Sequence, residues 1–318
     1  MARSSRPGKI VGSAVGDPAV KAVWQKLEAG LVRGGLKLLG TLRPDQASTM
    51  AGTACRLIGP LLPVSRVAYR NLELAMPELD YAARRRIVRG VWENLGRTVG
   101  ELPHVATLAE NTAQGPGFEV VGAEHLHALA QQKGAVLFVS GHIGNWEMLP
   151  PAVARHGLPF ASFYRAAGNP EVDGMIRQMR DQAMGGQAVP LFAKGARGAR
   201  EALSYVARGG RLGMLVDQKM NDGIELSFFG QPAMTAPALA TMALRYRCPV
   251  VPGCVVRLGP ARLRVVVEPP MTLPDTGNRH EDTRLLAQAV NDRLEAWIRQ
   301  YPQSWLWLHR RWLKSFYK

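Results

Sequence analysis

A histidine and a glutamate stand five positions apart, directly after the most strand-like stretch of this sequence. The apolar run of residues 135–139 does not alternate with polar residues, which predicts a fully buried strand, and Ser140 and Gly141 mark the turn that ends it. In α/β sheets, functional sites gather beyond the carboxyl ends of strands. His142 and Glu147 therefore stand where chemistry is usually placed.

This pair suits general-base catalysis on a hydroxyl group. A neutral imidazole can remove a proton near pH 7, and a carboxylate that holds its other ring nitrogen fixes the tautomer and stabilises the imidazolium. Across a turn into a helix start, the side chains of His142 and Glu147 could touch. The spacing equally fits a cap, with Asn145 as the N-cap of a helix and Glu147 in its first turn. Both interpretations stay open.

Neither a covalent nucleophile nor a metal site accompanies this histidine. Ser140 lacks the glycine two positions earlier that a nucleophile elbow requires. The three cysteines, Cys55, Cys248 and Cys254, are scattered without a CxxC, which gives no zinc or disulfide pattern and favours a reducing cytosolic setting. The motif does not match HExxH, and no second histidine stands at ligand spacing. The sequence therefore predicts no metal and no bound cofactor, and a hydroxyl or water brought from outside.

Composition limits the class of partner. The chain has 318 residues, a formal net charge of +15 and a sequence pI of about 10.3. This charge implies an anionic partner: nucleic acid, a phosphorylated substrate, an acidic carrier protein or an anionic lipid surface. A hydrophobic content of 47% argues against disorder. The basic, polar N-terminus lacks the apolar region of a signal peptide, and no run of ~20 apolar residues predicts a transmembrane helix.

The N-terminal third reads as helical. Residues 18–40 space their apolar residues roughly as a helix does, with basic residues between them, which fits either a surface helix packed on the domain or a basic helix lying on a membrane. Residues 50–64 predict a core helix or an interfacial element. Two further helices are predicted at residues 66–75 and 81–95. We therefore predict a helical, membrane-associating layer over residues 1–110.

From residue 118 onward, strand-like and helix-like runs alternate, which predicts an α/β core over residues 111–318, continuous with the helical layer. Its central sheet is expected to be largely parallel and flanked by helices. The predicted strands cover residues 118–121, 135–139, 160–164, 188–192, 212–216, 225–229, 250–256 and 263–267. The predicted helices cover residues 146–156, 171–184, 196–208, 236–247 and 281–299. The last two strands are close enough for an antiparallel hairpin, so the sheet is predicted to be mixed.

The segment from Gly141 to Glu147 resembles the H-x4-D/E motif of glycerolipid and lipid A acyltransferases, which belong to the lysophospholipid-acyltransferase-like superfamily. Its Asn-Trp-Glu variant is typical of the bacterial lipid A late acyltransferases, the lauroyl and myristoyl transferases. Further segments resemble other blocks of this family, in the same order from about residue 65 to the end. They are Arg70–Leu74 with Pro77, Tyr164-Arg165 with Asn169-Pro170, Asp217-Gln218, Phe228–Gly230, Thr235–Pro237 and Trp305–Trp312.

This resemblance implies a glycerolipid acyltransferase-like fold and an O-acyltransferase. Such an enzyme would move a fatty acyl chain from an acyl carrier protein thioester to a hydroxyl of a phosphorylated lipid A precursor. It would lie on the cytoplasmic face of an inner membrane, as a peripheral or monotopic protein. The resemblance implies His142 as general base and Glu147 as its orienting partner. The implied substrate-binding positions are Asn145, Trp146, Arg165, Asn169, Asp217, Gln218, Phe228, Gly230 and Thr235.

Structural roles stay open for several of these positions. Arg165 fits the binding of a phosphate or acyl donor, or a surface arginine at a strand end. Asn169 and Thr235 fit helix caps. Asp217 fits direct substrate contact or structural support, in which it would hold Arg165 or a backbone amide. Phe228 fits the border of an acyl channel or the core.

The C-terminal segment Trp305–Trp312 joins three tryptophans to His309, Arg310 and Arg311. It suits a membrane interface, an anionic acceptor or stacking on single-stranded nucleic acid, unless the tryptophans pack into the fold. Two other functions stay open: acyl transfer to a lysophospholipid or other lipid, and a non-catalytic basic module that binds membranes or nucleic acid. No RNP, KH or zinc-finger motif supports nucleic-acid binding, and no nucleic-acid partner is predicted.

Overall fold

The computed structural model describes residues 18–113 and 115–317, so the basic first residues of the chain lie outside the part described. Four helices come first, as the sequence predicts. They are α1 (Pro18–Thr41), α2 (Pro44–Ile58), α3 (Ser65–Ala75) and α4 (Tyr81–Glu101). Asp80 caps α4 by accepting a hydrogen bond of 2.6 Å from the amide of Ala83.

The rest of the described chain alternates strands and helices. The strands are β1 (Gly117–Val121), β2 (Leu137–Ser140), β3 (Ala161–Tyr164), β4 (Leu191–Ala193), β5 (Leu212–Leu215), β6 (Ile224–Phe228), β7 (Gln231–Thr235), β8 (Val250–Gly259) and β9 (Arg262–Val267). The helices are α5 (Ala123–Ala130), α6 (Leu149–Arg155), α7 (Pro170–Ala183), α8 (Ala196–Ala207), α9 (Ala238–Tyr246) and α10 (Arg279–Gln300).

Seven strands form one mixed sheet in the order β1-β9-β8-β2-β5-β3-β4. Every neighbouring pair is parallel except β8 and β9, which form the predicted antiparallel hairpin. The fold class predicted from the sequence, a largely parallel sheet with flanking helices and a helical N-terminal region, is confirmed.

Two elements were not predicted. Helix α5 is only eight residues long and contains two histidines, so its apolar period is short and interrupted. Strand β7 carries Pro232, which argues against a strand; it pairs only with β6, in a separate two-stranded hairpin. Phe229 and Gly230 form the tight turn between them with φ of 54° and 69°, as the two central residues of a type I′ turn require.

The sheet separates two apolar layers, and strand β2 contributes to both. Leu137 and Val139 pack into the layer with α3, α4, α9 and α10, whereas Val136 and Phe138 pack into the layer with α5 and α6. Successive side chains of a strand point to opposite faces. Burial on both faces explains why this stretch is continuously apolar in the sequence.

Helix α1 leaves most of its apolar residues uncovered. Val23, Trp24 and Leu31 are exposed, Leu31 by 79%. The turn that follows α2 adds Leu61, which is 82% exposed. Among residues 18–113 and 115–317, no helix combines the length and hydropathy needed to cross a membrane.

Candidate active site at the carboxyl ends of the central strands

Two neighbouring parallel strands bring a histidine and an aspartate together. Ser140 of β2 lies opposite Leu215 of β5, so His142 and Asp217, each two residues further on, leave the sheet side by side. They are 75 positions apart in sequence. The position of the pair at the carboxyl edge of the sheet agrees with the placement expected for functional residues in α/β folds.

His142 is held by Asp217 at two points. The imidazole Nδ1 lies 2.8 Å from Asp217 Oδ1, and the His142 amide donates to Asp217 Oδ2 over 2.8 Å. The indole Nε1 of Trp305 donates to the same Oδ2 over 2.7 Å. Asp217 is fully buried, so these three donors compensate its charge away from water.

The electrostatics of this pair set the protonation state of His142 and of Asp217. Burial raises the pKa of the Asp217 carboxyl, but the charge and hydrogen bonds of His142 outweigh it, so that pKa lies below its usual range. Burial likewise lowers the pKa of His142, but the charge of Asp217 and its hydrogen bond outweigh it, so the pKa of His142 is raised. A carboxylate only accepts hydrogen bonds, which assigns the proton of neutral His142 to Nδ1 and leaves Nε2 as the basic atom.

A second histidine supports the aspartate from the far side. His309 lies with its ring centroid 6.5 Å from that of His142 and its Nε2 3.2 Å from the carbonyl oxygen of Asp217. A carbonyl oxygen only accepts, so this nitrogen carries the proton. Burial lowers the pKa of His309, which favours the neutral ring.

The predicted contact between Glu147 and the His142 ring is not formed, because Asp217 occupies Nδ1. Glu147 instead forms a bidentate ion pair with Arg180 of α7, with Nε–Oε2 and Nη2–Oε1 distances of 2.8 and 2.7 Å. The chain passes through Gly144, with φ of 61°, and a short 3-10 turn at Trp146–Met148, which directs Glu147 away from Nδ1. The charge of Glu147 still raises the pKa of His142, and both residues line one cavity.

Asn145 does not cap a helix, and it does not line the cavity that His142 lines. It precedes the 3-10 turn without a side-chain cap, and it is fully buried. Its Nδ2 donates to Glu101 Oε2 at the end of α4 over 2.8 Å. The predicted roles of Asn145 as a cap or as a substrate contact are therefore replaced by a contact inside the protein.

A cavity of about 1040 Å³ begins at His142 and extends into the apolar layer beneath α6 and α7. Its buried lining is apolar, as Phe138, Val153, Phe160 and Val251 illustrate. A concave, apolar space with a few polar groups at one end is the usual form of a small-molecule site. The volume and the apolar lining suit a hydrocarbon chain.

Polar residues of the cavity include several that the sequence predicted. Trp146, Glu147, Arg165 and Gln218 line it together with His142. The sequence interpretation missed Lys194, which also lines the cavity and donates to Gln218 Oε1 over 2.9 Å. Lys194 follows a predicted strand, so the rule that selected His142 could have found it.

Lys194 and Arg165 place two cations at this end of the cavity. Partial desolvation of its ammonium group, together with the charge of Arg165, lowers the pKa of Lys194. Both residues are exposed on the surface, which contrasts with the buried apolar lining further in. This arrangement can receive an anionic group near His142.

Asn169 is confirmed as a helix cap. Its side chain accepts from the amide of Glu171 over 3.1 Å at the start of α7. Its Nδ2 donates to the Gln25 carbonyl over 2.7 Å and to Glu28 Oε2 over 3.0 Å, both on α1. Asn169 thus ties α7 to α1 and does not line the cavity.

Phe228, Gly230 and Thr235 are not brought to the cavity either. Phe228 is fully buried, with ring centroids 5.8 and 5.9 Å from those of Trp305 and Trp312, as its core interpretation predicted. Gly230 lies in the β6–β7 turn. Thr235 does not cap α9, because it ends β7 and accepts from the guanidinium of Arg311 over 2.9 Å.

The C-terminal aromatic segment packs into the fold. Trp305, Trp307 and Trp312 are fully buried, and so is Arg311. These side chains therefore cannot stack on a nucleic acid or lie in a membrane interface. Trp305 donates to Asp217, whereas the other three side chains bond to Pro302, Phe228, Met234 and Thr235. Among the described residues, no cluster of three metal-ligating side chains occurs.

The model of the family "Bacterial lipid A biosynthesis acyltransferase" matches residues 22–314. A lipid A biosynthesis acyltransferase of Haemophilus influenzae is 24% identical over 247 residues, which cover 76% of this chain and 73% of that protein. A lipid A biosynthesis lauroyltransferase of Escherichia coli K12 is 25% identical over 260 residues, 78% of each chain.

Proposed function

We infer the function of this chain from its family: it belongs to the bacterial lipid A biosynthesis acyltransferases, and it is an acyltransferase. The reaction proposed is the transfer of a fatty acyl chain from the thioester of an acyl carrier protein to a hydroxyl of a phosphorylated lipid A precursor. The observation that carries this proposal is the His142–Asp217 pair at the head of a large apolar cavity.

His142 would act as the general base. Its Nε2 accepts the proton of the acceptor hydroxyl while that oxygen attacks the thioester carbonyl carbon. The tetrahedral intermediate then collapses, the carbon–sulfur bond breaks, and the imidazolium returns the proton to the departing thiolate. Asp217 holds Nδ1–H and stabilises the imidazolium between these two steps.

The cavity would hold the acyl chain of the donor. Its apolar walls remove the chain from water, which favours binding by roughly 0.8 kcal/mol for each buried methylene. The thioester would then lie near His142, because this residue lines the same cavity. Glu147 would assist as a charged neighbour of the base; its part in catalysis stays a prediction.

The cations at the cavity mouth suit the anionic groups of both substrates. Arg165 and Lys194 lie where the phosphates of a glycolipid or the acidic surface of a carrier protein would approach. A net charge of +15 favours both partners at longer range.

Contact with the cytoplasmic face of an inner membrane would bring the acceptor to this mouth. Helix α1 exposes Val23, Trp24 and Leu31 together with Lys21 and Lys26, the composition of a helix that lies in a membrane surface. Contacts from Asn169 to α1 link this helix to α7, which lines the cavity. Peripheral binding through α1 therefore fits the position of the site.

The test is an acyl-transfer assay read by mass spectrometry. The enzyme is incubated with acyl carrier protein thioesters and, in parallel arms, with a lipid A precursor or a lysophospholipid as acceptor. Transfer to the lipid A precursor is expected, and His142→Ala should reduce it roughly 10²-fold or more, the usual contribution of a general base. Wild-type activity in a folded His142→Ala variant would reject the mechanism, and transfer only to the lysophospholipid would reject the acceptor.

A further inference from the structure

The buried ion pair of Glu101 and Arg257 lies next to the loop that follows His142. We propose that Glu101, through Arg257 and Asn145, is a positioning residue that fixes the loop of residues 143–146 and thereby the placement of His142. This inference rests on the proposed function, in which His142 is the general base. None of the three residues lines the cavity, so they would act through the loop and not on the substrate.

The carboxylate of Glu101 is fully buried and accepts hydrogen bonds on both oxygens. Oε2 accepts from Asn145 Nδ2 over 2.8 Å. Oε1 accepts from Ser48 Oγ over 2.6 Å, from the Ala261 amide over 3.0 Å and from the Arg257 guanidinium. A buried carboxylate with this many donors is strongly oriented, so the side chain of Asn145 has one fixed partner.

Arg257 continues the connection to the preceding residue of the loop. Its Nε donates to Asn94 Oδ1 over 3.1 Å, and Asn94 Nδ2 donates to the carbonyl oxygen of Gly144 over 3.0 Å. Two successive loop residues are therefore held: Asn145 by its side chain to Glu101, and Gly144 by its carbonyl to Asn94, which Arg257 orients. Two such contacts fix both the position and the direction of the loop.

The loop can adopt only a narrow range of shapes here. Gly144 has φ of 61°, and a Cβ on it would lie 2.0 Å from the carbonyl oxygen of Val255. Its amide donates to the Ser304 carbonyl over 2.9 Å. The next residue, Trp305, pairs with Ile143 in a β-bridge and donates to Asp217. The same frame therefore holds both members of the His142–Asp217 pair.

Such a frame predicts an effect on chemistry that is separate from its effect on stability. If the loop shifts, Nδ1 of His142 moves relative to Asp217, and Nε2 moves relative to the cavity. A misplacement of about 1 Å caused by a change far from the chemistry can lower activity about 100-fold. A residue that only stabilises the fold would lower the melting temperature and leave the turnover of the folded enzyme unchanged.

The proposal is tested with Glu101→Gln and Asn145→Ala in the acyl-transfer assay. Both should lower kcat, by up to about 100-fold, with little change in KM. Their effects should not add in the double variant, because both break the same connection. Glu119→Gln is the matched control: it breaks the Glu119–Arg264 pair, 2.6 Å long, which connects β1 and β9 away from the loop. It should lower stability and leave kcat unchanged.

An NMR titration of His142 keeps the test independent of turnover. The charged groups that face this imidazole are Asp217, Glu147 and Lys194, with His309 nearby. A looser contact with Asp217 should lower the His142 pKa in Asn145→Ala, whether or not acyl transfer is the reaction. An unchanged kcat and an unchanged titration in both folded variants would overturn the proposal. If Glu101→Gln fails to fold, Asn145→Ala decides alone, because it leaves the buried Glu101–Arg257 ion pair in place. If wild-type enzyme transfers no acyl chain, the proposed function fails, and the titration still tests the positioning.

Discussion

At the scale of single residues, the site separates two carboxylates that the sequence could not distinguish. Asp217 is buried against His142, whereas Glu147 pairs with Arg180 on the cavity wall. Sequence reasoning selected His142 because it follows a buried strand. It placed Asp217 at a strand end too, but it assigned the orienting contact to Glu147 because only that residue is near in sequence.

Asp217→Asn tests the orienting contact. The amide can present an N–H to Nδ1 and favour the wrong tautomer, so kcat should fall by about 10²-fold or more. The change also removes the negative charge that raises the pKa of His142. Base catalysis requires the neutral ring, so the acidic limb of the kcat/KM profile should move to lower pH. A limb at the wild-type position would contradict the assignment.

Lys194→Met tests whether a nearby positive charge lowers the pKa of His142. The positive charge of Lys194 lowers the pKa of His142, so its removal should raise that pKa. The acidic limb of the kcat/KM profile should then move to higher pH, in the direction opposite to Asp217→Asn. Lys133→Met, an exposed lysine before β2, is the control and should leave the limb in place. Equal profiles for the two lysine variants would exclude an influence of Lys194 on the base.

At the scale of elements, periodicity predicted most strands and helices but not their neighbours. The run at residues 135–139 is a buried strand because it is apolar on both faces, and the sequence shows this directly. The order of strands in the sheet depends on packing across the whole chain, which periodicity does not encode. For this reason the adjacency of β2 and β5, and with it the contact between His142 and Asp217, was not predicted.

Strand β8 offers a test of the acyl cavity. Val251 lines the cavity, whereas Val250 points into the opposite layer. Val251→Phe should shift the preferred donor toward shorter acyl chains, because the ring occupies space inside the cavity. Val250→Phe is the control. It should lower the free energy of unfolding by about 1–3 kcal/mol through overpacking, and it should leave the preferred chain length unchanged. Chain-length profiles from mass spectrometry that shift equally in both variants would argue against the cavity as the acyl site.

At the scale of the whole molecule, the membrane contact that we propose would use helix α1, whose apolar side chains are largely exposed. Helix α1 buries only a few side chains, such as Ala29 and Leu39. The sequence left two interpretations of this helix open, and periodicity alone could not choose between them, because it does not show which face the rest of the fold covers.

Leu31→Glu tests the proposed membrane contact. Leu31 is 79% exposed, so the change should leave the fold intact. A glutamate cannot insert into the bilayer as the leucine would. Binding to phosphatidylglycerol vesicles should therefore weaken about tenfold, because about 1.4 kcal/mol of apolar burial is lost. Leu285→Glu on α10, where the leucine is 43% exposed, is the matched control. Equal vesicle affinity of the two variants in a sedimentation assay would reject α1 as the contact.

The hydrogen bond from Trp305 to Asp217 has a consequence for synthesis in the cell. During synthesis, His142 is added first and Asp217 second. The indole of Trp305, which donates a further hydrogen bond to that carboxylate, is added 88 positions after the aspartate. A nascent chain that ends before Trp305 leaves a buried charge short of one donor. We therefore expect the His142–Asp217 pair to reach its full hydrogen bonding only after the segment that contains Trp305 has been made and has packed against it.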